Sequence, residues 1–443
     1  MIRKFFGTDG IRGTANTALS AELAMAVGRA AVAVLPGDAP MVLIGRDTRV
    51  SGSMLEAALV AGINSAGGAA MSAGVIPTPA VASLVVSEGA DAGAVISASH
   101  NPYQDNGIKF FGPSGFKFSD AQELEMESYL AGDEAMPPLP ADPGPGSFID
   151  NPVADYVDNL LGGFDLDLSA LNILVDCANG ATFRSAPQAL KRLGASVALI
   201  NAAPDGFNIN RDCGSTHIGA LQAAVRADGF DLGLAFDGDG DRVIAVDAGG
   251  DVVDGDFIMA ICGRYLKEKG RLPRNTIVTT VMTNLGFHLA MKELGIDVIT
   301  TDVGDRYVLE EMLAGEYGFG GEQSGHIINL EASTTGDGLA TSLLLLQVIA
   351  ETGLPLTKLA RVMRRLPQRL VNIQVEKRQE LDSKSEIWDT IEEEEGRLKG
   401  EGRILVRPSG TEPVIRVMVE AARVDICVDI CETIAVAIRK NLG

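Results

Sequence analysis

Three runs that read as buried strands set the architecture: Met41-Val42-Leu43-Ile44, Asn172-Ile173-Leu174-Val175 and residues 276–281. They end in the loops Gly45-Arg46-Asp47-Thr48-Arg49, Asp176-Cys177-Ala178-Asn179-Gly180 and Met282-Thr283-Asn284-Leu285-Gly286, and a helical pattern follows each loop. Strand, loop and helix in alternation point to an α/β fold with a largely parallel sheet. Loops after parallel strands are the usual ligand side of such a sheet. Ser20 is placed to cap a helix carrying Leu23, Val27, Ala30 and Val34, and Ser53 with Glu56 reads as a capping box for the next.

A chain of 443 residues suggests about three domains. Residues 136–146 hold five prolines and two glycines, a stretch that favours an extended linker and a first boundary. A shift from basic residues at 361–369 to acidic ones at 376–395 puts another boundary near Leu366. Beyond it, residues 371–375 and 415–419 alternate as strands with one buried face, and residues 425–440 read as a last helix. The formal charge of −22 argues against a nucleic-acid or anionic-membrane surface, which needs a basic field. An anionic ligand must then be held by local cations, backbone amides or a metal. The apolar run 21–35 is short and carries Glu22 and Arg29, so a soluble cytoplasmic protein is expected. Five scattered cysteines, Cys177, Cys213, Cys262, Cys427 and Cys431, read as reduced and structural.

Five stretches carry candidate chemistry. In Ser97-Ala98-Ser99-His100-Asn101-Pro102 an apolar strand stops in hydroxyls and an imidazole, and Lys109 follows an Asn-Gly turn. The group forms either a reactive rim or a plain polar turn. Gly7-Thr8-Asp9-Gly10-Ile11-Arg12-Gly13 is a glycine-dense loop whose arginine could approach a phosphate, though a strand-to-helix turn accounts for it equally. Asp237-Gly238-Asp239-Gly240-Asp241-Arg242 spaces three carboxylates at alternate positions, which suits a hard divalent cation. It is not an EF-hand, because Arg242 stands where that loop needs glycine and Ala248 where it needs glutamate. Arg242 could meet a phosphoryl oxygen. Glu322 and Ser324, two residues apart before His326, offer an acceptor and a donor that could grip vicinal hydroxyls. Residues 403–413, with Arg407, Ser409, Gly410, Thr411 and nearby Arg416, form a phosphate nest. The loop Pro204-Asp205-Gly206-Phe207-Asn208-Ile209-Asn210 has no assigned chemistry.

These motifs, in this order over the whole chain, resemble those of the alpha-D-phosphohexomutases. The resemblance implies three related α/β domains with mixed, largely parallel sheets and a smaller α+β C-terminal domain around a central cleft. The expected spans are 1–146, 147–250, 251–365 and 366–443. Ser99 would be the phosphoserine, with its phosphate completing the shell of a Mg2+ held by Asp237, Asp239 and Asp241. Asp305, Arg306, Glu322 and Ser324 would bind sugar, and Arg407, Ser409, Gly410, Thr411 and Arg416 would bind phosphate. Arg12, Lys109 and His326, with His100 beside the serine, are candidates for proton transfer or transition-state stabilisation. Gln323 is what the amino-sugar members show where mannose members typically carry Met. The implied reaction interconverts glucosamine 6-phosphate and glucosamine 1-phosphate through a 1,6-bisphosphate, with glucosamine or glucose 1,6-bisphosphate as activator. A mannose or glucose phosphate mutase is the alternative. A non-catalytic sugar-phosphate binder is another, opposed by the intact Ser99, aspartates and Lys109. The expected partner is a small-molecule sugar phosphate, with no nucleic acid and no membrane; a homodimer stays open.

Overall fold

A computed structural model describes residues 4–7, 9–399, 401–409 and 413–443. The chain divides into two compact units, Met1–Met282 with Ile296–Val362, and Thr283–Gly295 with Met363–Gly443.

The first unit repeats one topology three times. In the first sheet, Met41–Arg46 lies between Ala69–Val75 and Ala92–Ile96, all parallel, and Asp105–Phe111 returns antiparallel along Ala92–Ile96. In the second, Asn172–Asp176 lies between Ser196–Ile200 and Leu232–Phe236, and Val243–Asp247 returns. In the third, Thr276–Thr280 lies between Asp297–Thr301 and Phe319–Gly321, and Ile327–Asn329 returns. The strands Ala92–Ile96, Leu232–Phe236 and Thr276–Thr280 are buried along their whole length, which explains their unbroken apolar or small-residue character. Each return strand follows a short loop rather than a crossover helix, as antiparallel pairing allows. Those three loops contain Ser99, the three aspartates, and Glu322 with Ser324.

Two local readings change. Ser53 and Glu56 form no capping box: the helix is Gly52–Ser65, its N-cap Ser51 makes no side-chain bond, and Glu56 accepts from Arg46 Nε at 2.7 Å and from Ser72. A partly buried arginine claims the carboxylate more strongly than a backbone amide would. The strand Gly146–Phe148 pairs with Ala69–Val75, so the first sheet runs past residue 146.

In the second unit, Gln368–Gln374, Val414–Ala421 and Gly402–Pro408 form an antiparallel sheet. Ile387, Ile391, Ile430, Ile434 and Ile438 from the helices Ser385–Leu398 and Val424–Leu442 share one core with Ile373, Val417 and Val419 of that sheet. Residues 403–407, read as part of a nest, are therefore strand, with Ile404 and Val406 packed on this core. The helix Leu285–Glu293, which follows the first strand of the third sheet, belongs to this unit. All five cysteines are free and buried. No single helix among the described residues is long and apolar enough to cross a membrane.

Glu420 is fully buried and ties the second unit together. Its carboxylate accepts from Asn284 Nδ2 at 2.9 Å, Leu285 N at 2.9 Å and Arg403 Nε at 2.7 Å. Glu420→Ala would leave those donors and a partly buried guanidinium without their acceptor, so the unit should lose about 3 kcal/mol in urea unfolding. A loss below about 1 kcal/mol would contradict that role.

Candidate active site

Ser99 lies in the loop between Ala92–Ile96 and Asp105–Phe111 with φ +49°, in the left-handed region. Its amide donates to Ser97 Oγ at 2.9 Å, and Ser97 Oγ donates to Asp47 at 2.5 Å. The Ser99 hydroxyl donates to Asp237 Oδ2 at 2.6 Å, which joins the first and second repeats at the candidate nucleophile. His100 Nδ1 stands 3.5 Å from the same hydroxyl. Burial, then the Arg242 and Arg12 charges, lowers the pKa of His100.

Asp237, Asp239 and Asp241 are buried and can present ligand atoms within 4.8 Å of one another. Asp237 Oδ1 accepts from the amides of Gly240 and Arg242 at 3.1 and 3.2 Å. Asp239 Oδ2 accepts from Thr78 Oγ1 at 2.6 Å and Lys109 Nζ at 3.1 Å, and Lys109 lies 3.7 Å from Asp241. Burial, Asp241 and Asp239 push Asp237 well above the usual carboxylate range. Burial pushes Asp239 the same way, but Lys109 and Thr78 outweigh it and hold that carboxyl low. For Lys109 burial opposes the charge, and Asp239, Asp9 and Asp241 overcome it, so the ammonium persists. Asp239 Oδ1 and Asp241 Oδ1 are buried and find no donor. Three clustered carboxylates with spare buried oxygens fit a hard divalent cation. Gly238 is required here, because a Cβ would lie 2.6 Å from the Ser99 carbonyl.

Beside this cluster is a cavity of about 410 Å3 lined by Asp9, Arg12, Asp241, Arg242, Asp305, Glu322 and His326. Glu322 Oε1 accepts from Gly304 N at 3.2 Å. His326 Nε2 lies 3.5 Å from Asp305 and 3.9 Å from Asp241, and neither ring nitrogen makes a hydrogen bond. Lys117 pairs with Asp305 and, at 2.8 Å, with Asp9. Burial raises the Asp305 pKa, but Lys117 and His326 outweigh it and bring it to about 2. Asp9 is likewise raised by burial and more than compensated by Lys109, Lys117 and Arg12.

The structure thus gathers Ser99, Lys109, Arg12, Asp237, Asp239, Asp241, Arg242, Asp305, Glu322 and His326. Arg306 pairs instead with Asp120 and, at 2.8 Å, with Glu123. Ser324 is exposed, and the Gln323 amide donates to Asp256 at 3.1 Å. Asp9, Asp47, Thr78 and Lys117 were not singled out from sequence. Asp9 sits in a motif read only for its arginine and Asp47 in a loop read only as a strand end, and nothing local marks Thr78 or Lys117.

In the second unit Arg407 and Arg416 face each other across paired strands, and Arg416 Nη2 donates to Ser409 Oγ at 3.4 Å. Gly410 and Thr411 lie outside the described residues.

A buried acidic cluster against a loop serine, on three repeats of one α/β unit, comes together with a match to one known family. The chain matches all four of that family's parts: phosphoglucomutase/phosphomannomutase alpha/beta/alpha domain I over residues 3–136, domain II over 154–250, domain III over 254–366 and the C-terminal domain over 370–436. It belongs to the phosphoglucomutase/phosphomannomutase family. Among its relatives, the phosphoglucosamine mutase of Desulforudis audaxviator is 56% identical over 94% of this chain and 93% of its own. The phosphoglucosamine mutase of Anoxybacillus flavithermus is 52% identical over 99% of both. A family member from Burkholderia thailandensis has the same fold, with a TM-score of 0.81 at 24% identity over 100% of this chain and 99% of that one. The Aspergillus fumigatus N-acetylphosphoglucosamine mutase, solved with GlcNAc-6P and magnesium, gives 0.70 at 18% identity over 99% of this chain and 96% of that one.

Crowded carboxylates destabilise a cation-free protein and are stabilised by a bound one. Asp237→Asn should therefore melt no lower than wild type in chelator, yet lose most of the upward shift that a divalent cation gives wild type. An unchanged shift would contradict the assignment of Asp237 to the cation.

Proposed function

We propose that the chain interconverts glucosamine 6-phosphate and glucosamine 1-phosphate, with Ser99 as phosphoryl carrier. The observation that carries this is the Ser99 hydroxyl held 2.6 Å from Asp237, inside a three-carboxylate cluster. Near-full-length identity to phosphoglucosamine mutases supports the amino sugar over mannose or glucose. Mg2+ suits the ligand set Asp237, Asp239 and Asp241, and when bound it neutralises charge on the transferring phosphoryl group.

The chain's own residues do the rest. With Ser99 phosphorylated, the free C1 hydroxyl of glucosamine 6-phosphate attacks phosphorus. A phosphorus–oxygen bond to the sugar forms as the bond to Ser99 Oγ breaks. The resulting 1,6-bisphosphate turns end for end and returns its other phosphoryl group to Ser99, leaving glucosamine 1-phosphate. Either 1,6-bisphosphate can prime the serine. The sugar hydroxyl gives up a proton in the first half and Ser99 Oγ regains one, so the count balances. Lys109 stays an ammonium and Arg12 offers no acceptor, so of those three candidates only His326, in its neutral form, can take the proton. Lys109 and Arg242 counter the phosphoryl charge, Glu322 accepts from sugar hydroxyls, and Arg407 with Arg416 suits a phosphate group. Phosphorylated sugars as substrate and product suit a cytoplasmic enzyme.

Turnover of glucosamine 6-phosphate with Mg2+ and a bisphosphate should far exceed that of mannose or glucose phosphates, and Ser99→Ala should abolish it. Glu322→Ala should lower kcat/KM by about tenfold or more, the loss of one charged hydrogen bond. Equal rates on all three sugars would overturn the substrate assignment, and an active Ser99→Ala the carrier.

A further inference from the structure

The loop at 204–210 and the second arginine of Gly45-Arg46-Asp47-Thr48-Arg49 meet beneath Ser99. A left-handed backbone at a residue other than glycine is unfavourable by roughly 1 kcal/mol or more, so the conformation must be held by its surroundings. Arg49 is 1% exposed, and its Nη2 donates to the carbonyls of Ser99 and Asn101 at 3.2 and 2.5 Å. Its Nη1 pairs with the buried Asp47, the same carboxylate that holds Ser97 under the Ser99 amide. Asn210 Nδ2 donates to the same two carbonyls at 2.8 and 3.0 Å. Asn210 is itself left-handed, at φ +57°, with its amide on Ala178 O at 2.9 Å. Four donor contacts from two different repeats thus fix the Ser99–His100 and Asn101–Pro102 peptide planes. Neither side chain lines the sugar cavity.

We propose that Arg49 and Asn210 are positioning residues for phosphoryl transfer: they hold the Ser99 carbonyl so that Oγ meets the acidic loop. This rests on Ser99 being the phosphoryl carrier. Arg49 comes from the first repeat and Asn210 from the second, so the pair also fixes the register of the serine loop against the aspartate loop. Misplacing a reacting atom by about 1 Å can lower a rate by about a hundredfold, whereas substrate grip would be untouched.

Asn210→Ala removes two of the four contacts and leaves Arg49 in place. It should lower kcat for glucosamine 6-phosphate by about tenfold with KM within about twofold, and slow Ser99 phosphorylation by glucose 1,6-bisphosphate to match. The 31P resonance of the phosphoserine should shift or broaden in the folded variant. Arg49→Lys keeps a charge for Asp47 but loses the planar fork, and should show the same kcat-against-KM split. If Arg49→Lys does not fold, Asn210→Ala decides alone. A folded Asn210→Ala with wild-type kcat and an unmoved 31P signal overturns the proposal, as does a loss that only tracks the unfolded fraction. Wild-type protein that takes no phosphate on Ser99 would remove the carrier reading itself, and this inference with it.

Discussion

Asp237, Asp239 and Asp241 present carboxylate oxygens within 4.8 Å of one another in a buried setting, and anions so placed repel unless cations answer them. Lys109 supplies one buried charge and Arg242 flanks the loop, while Thr78 and two backbone amides supply hydrogen bonds. Two buried carboxylate oxygens still find no donor, which is the demand a divalent cation meets. Ser99 lies against this cluster because Gly238 has no side chain to keep it away. The glycine spacing and the left-handed serine are conditions for placing a hydroxyl on a charge cluster, and the lysine answers its charge.

The architecture delivers that contact by repetition. In each repeat three parallel strands are followed by a strand that turns straight back through a short loop. The three turns carry a serine, three aspartates, and a glutamate followed by a histidine. One scaffold thus presents the proposed nucleophile, the proposed cation site and the proposed sugar acceptor from equivalent positions. Arg242 and His326 pair across an isolated bridge between the second and third of these turns, so the cluster and the cavity share a wall.

What was legible in the sequence was local. Buried strands showed as apolar runs, and Ser99 and the aspartates stood out because their spacing is chemically unusual over a few residues. The partners of the Ser99 carbonyl were not legible: Asn210 lies 111 positions away and Arg49 50 positions away, and neither leaves a periodic trace. Glu56 looked like a cap until Arg46 took its carboxylate, and the pairing of Arg306 with Glu123 and Asp120 left no local mark. Residues 403–407 read as part of a phosphate nest because the basic and turn residues at their end outweighed the alternation of Ile404 and Val406. In each case a tertiary partner overrode a local preference.

The most direct test is a single turnover followed by mapping of the phosphate. The protein is charged with glucose 1,6-bisphosphate, digested to locate the phosphate, and in a parallel sample mixed with glucosamine 6-phosphate. Phosphate found on Ser99, and passed to the sugar as glucosamine 1,6-bisphosphate no more slowly than steady-state turnover, is the expected result. Phosphate on another residue, or a Ser99 phosphate that persists while glucosamine 1-phosphate accumulates, would contradict it.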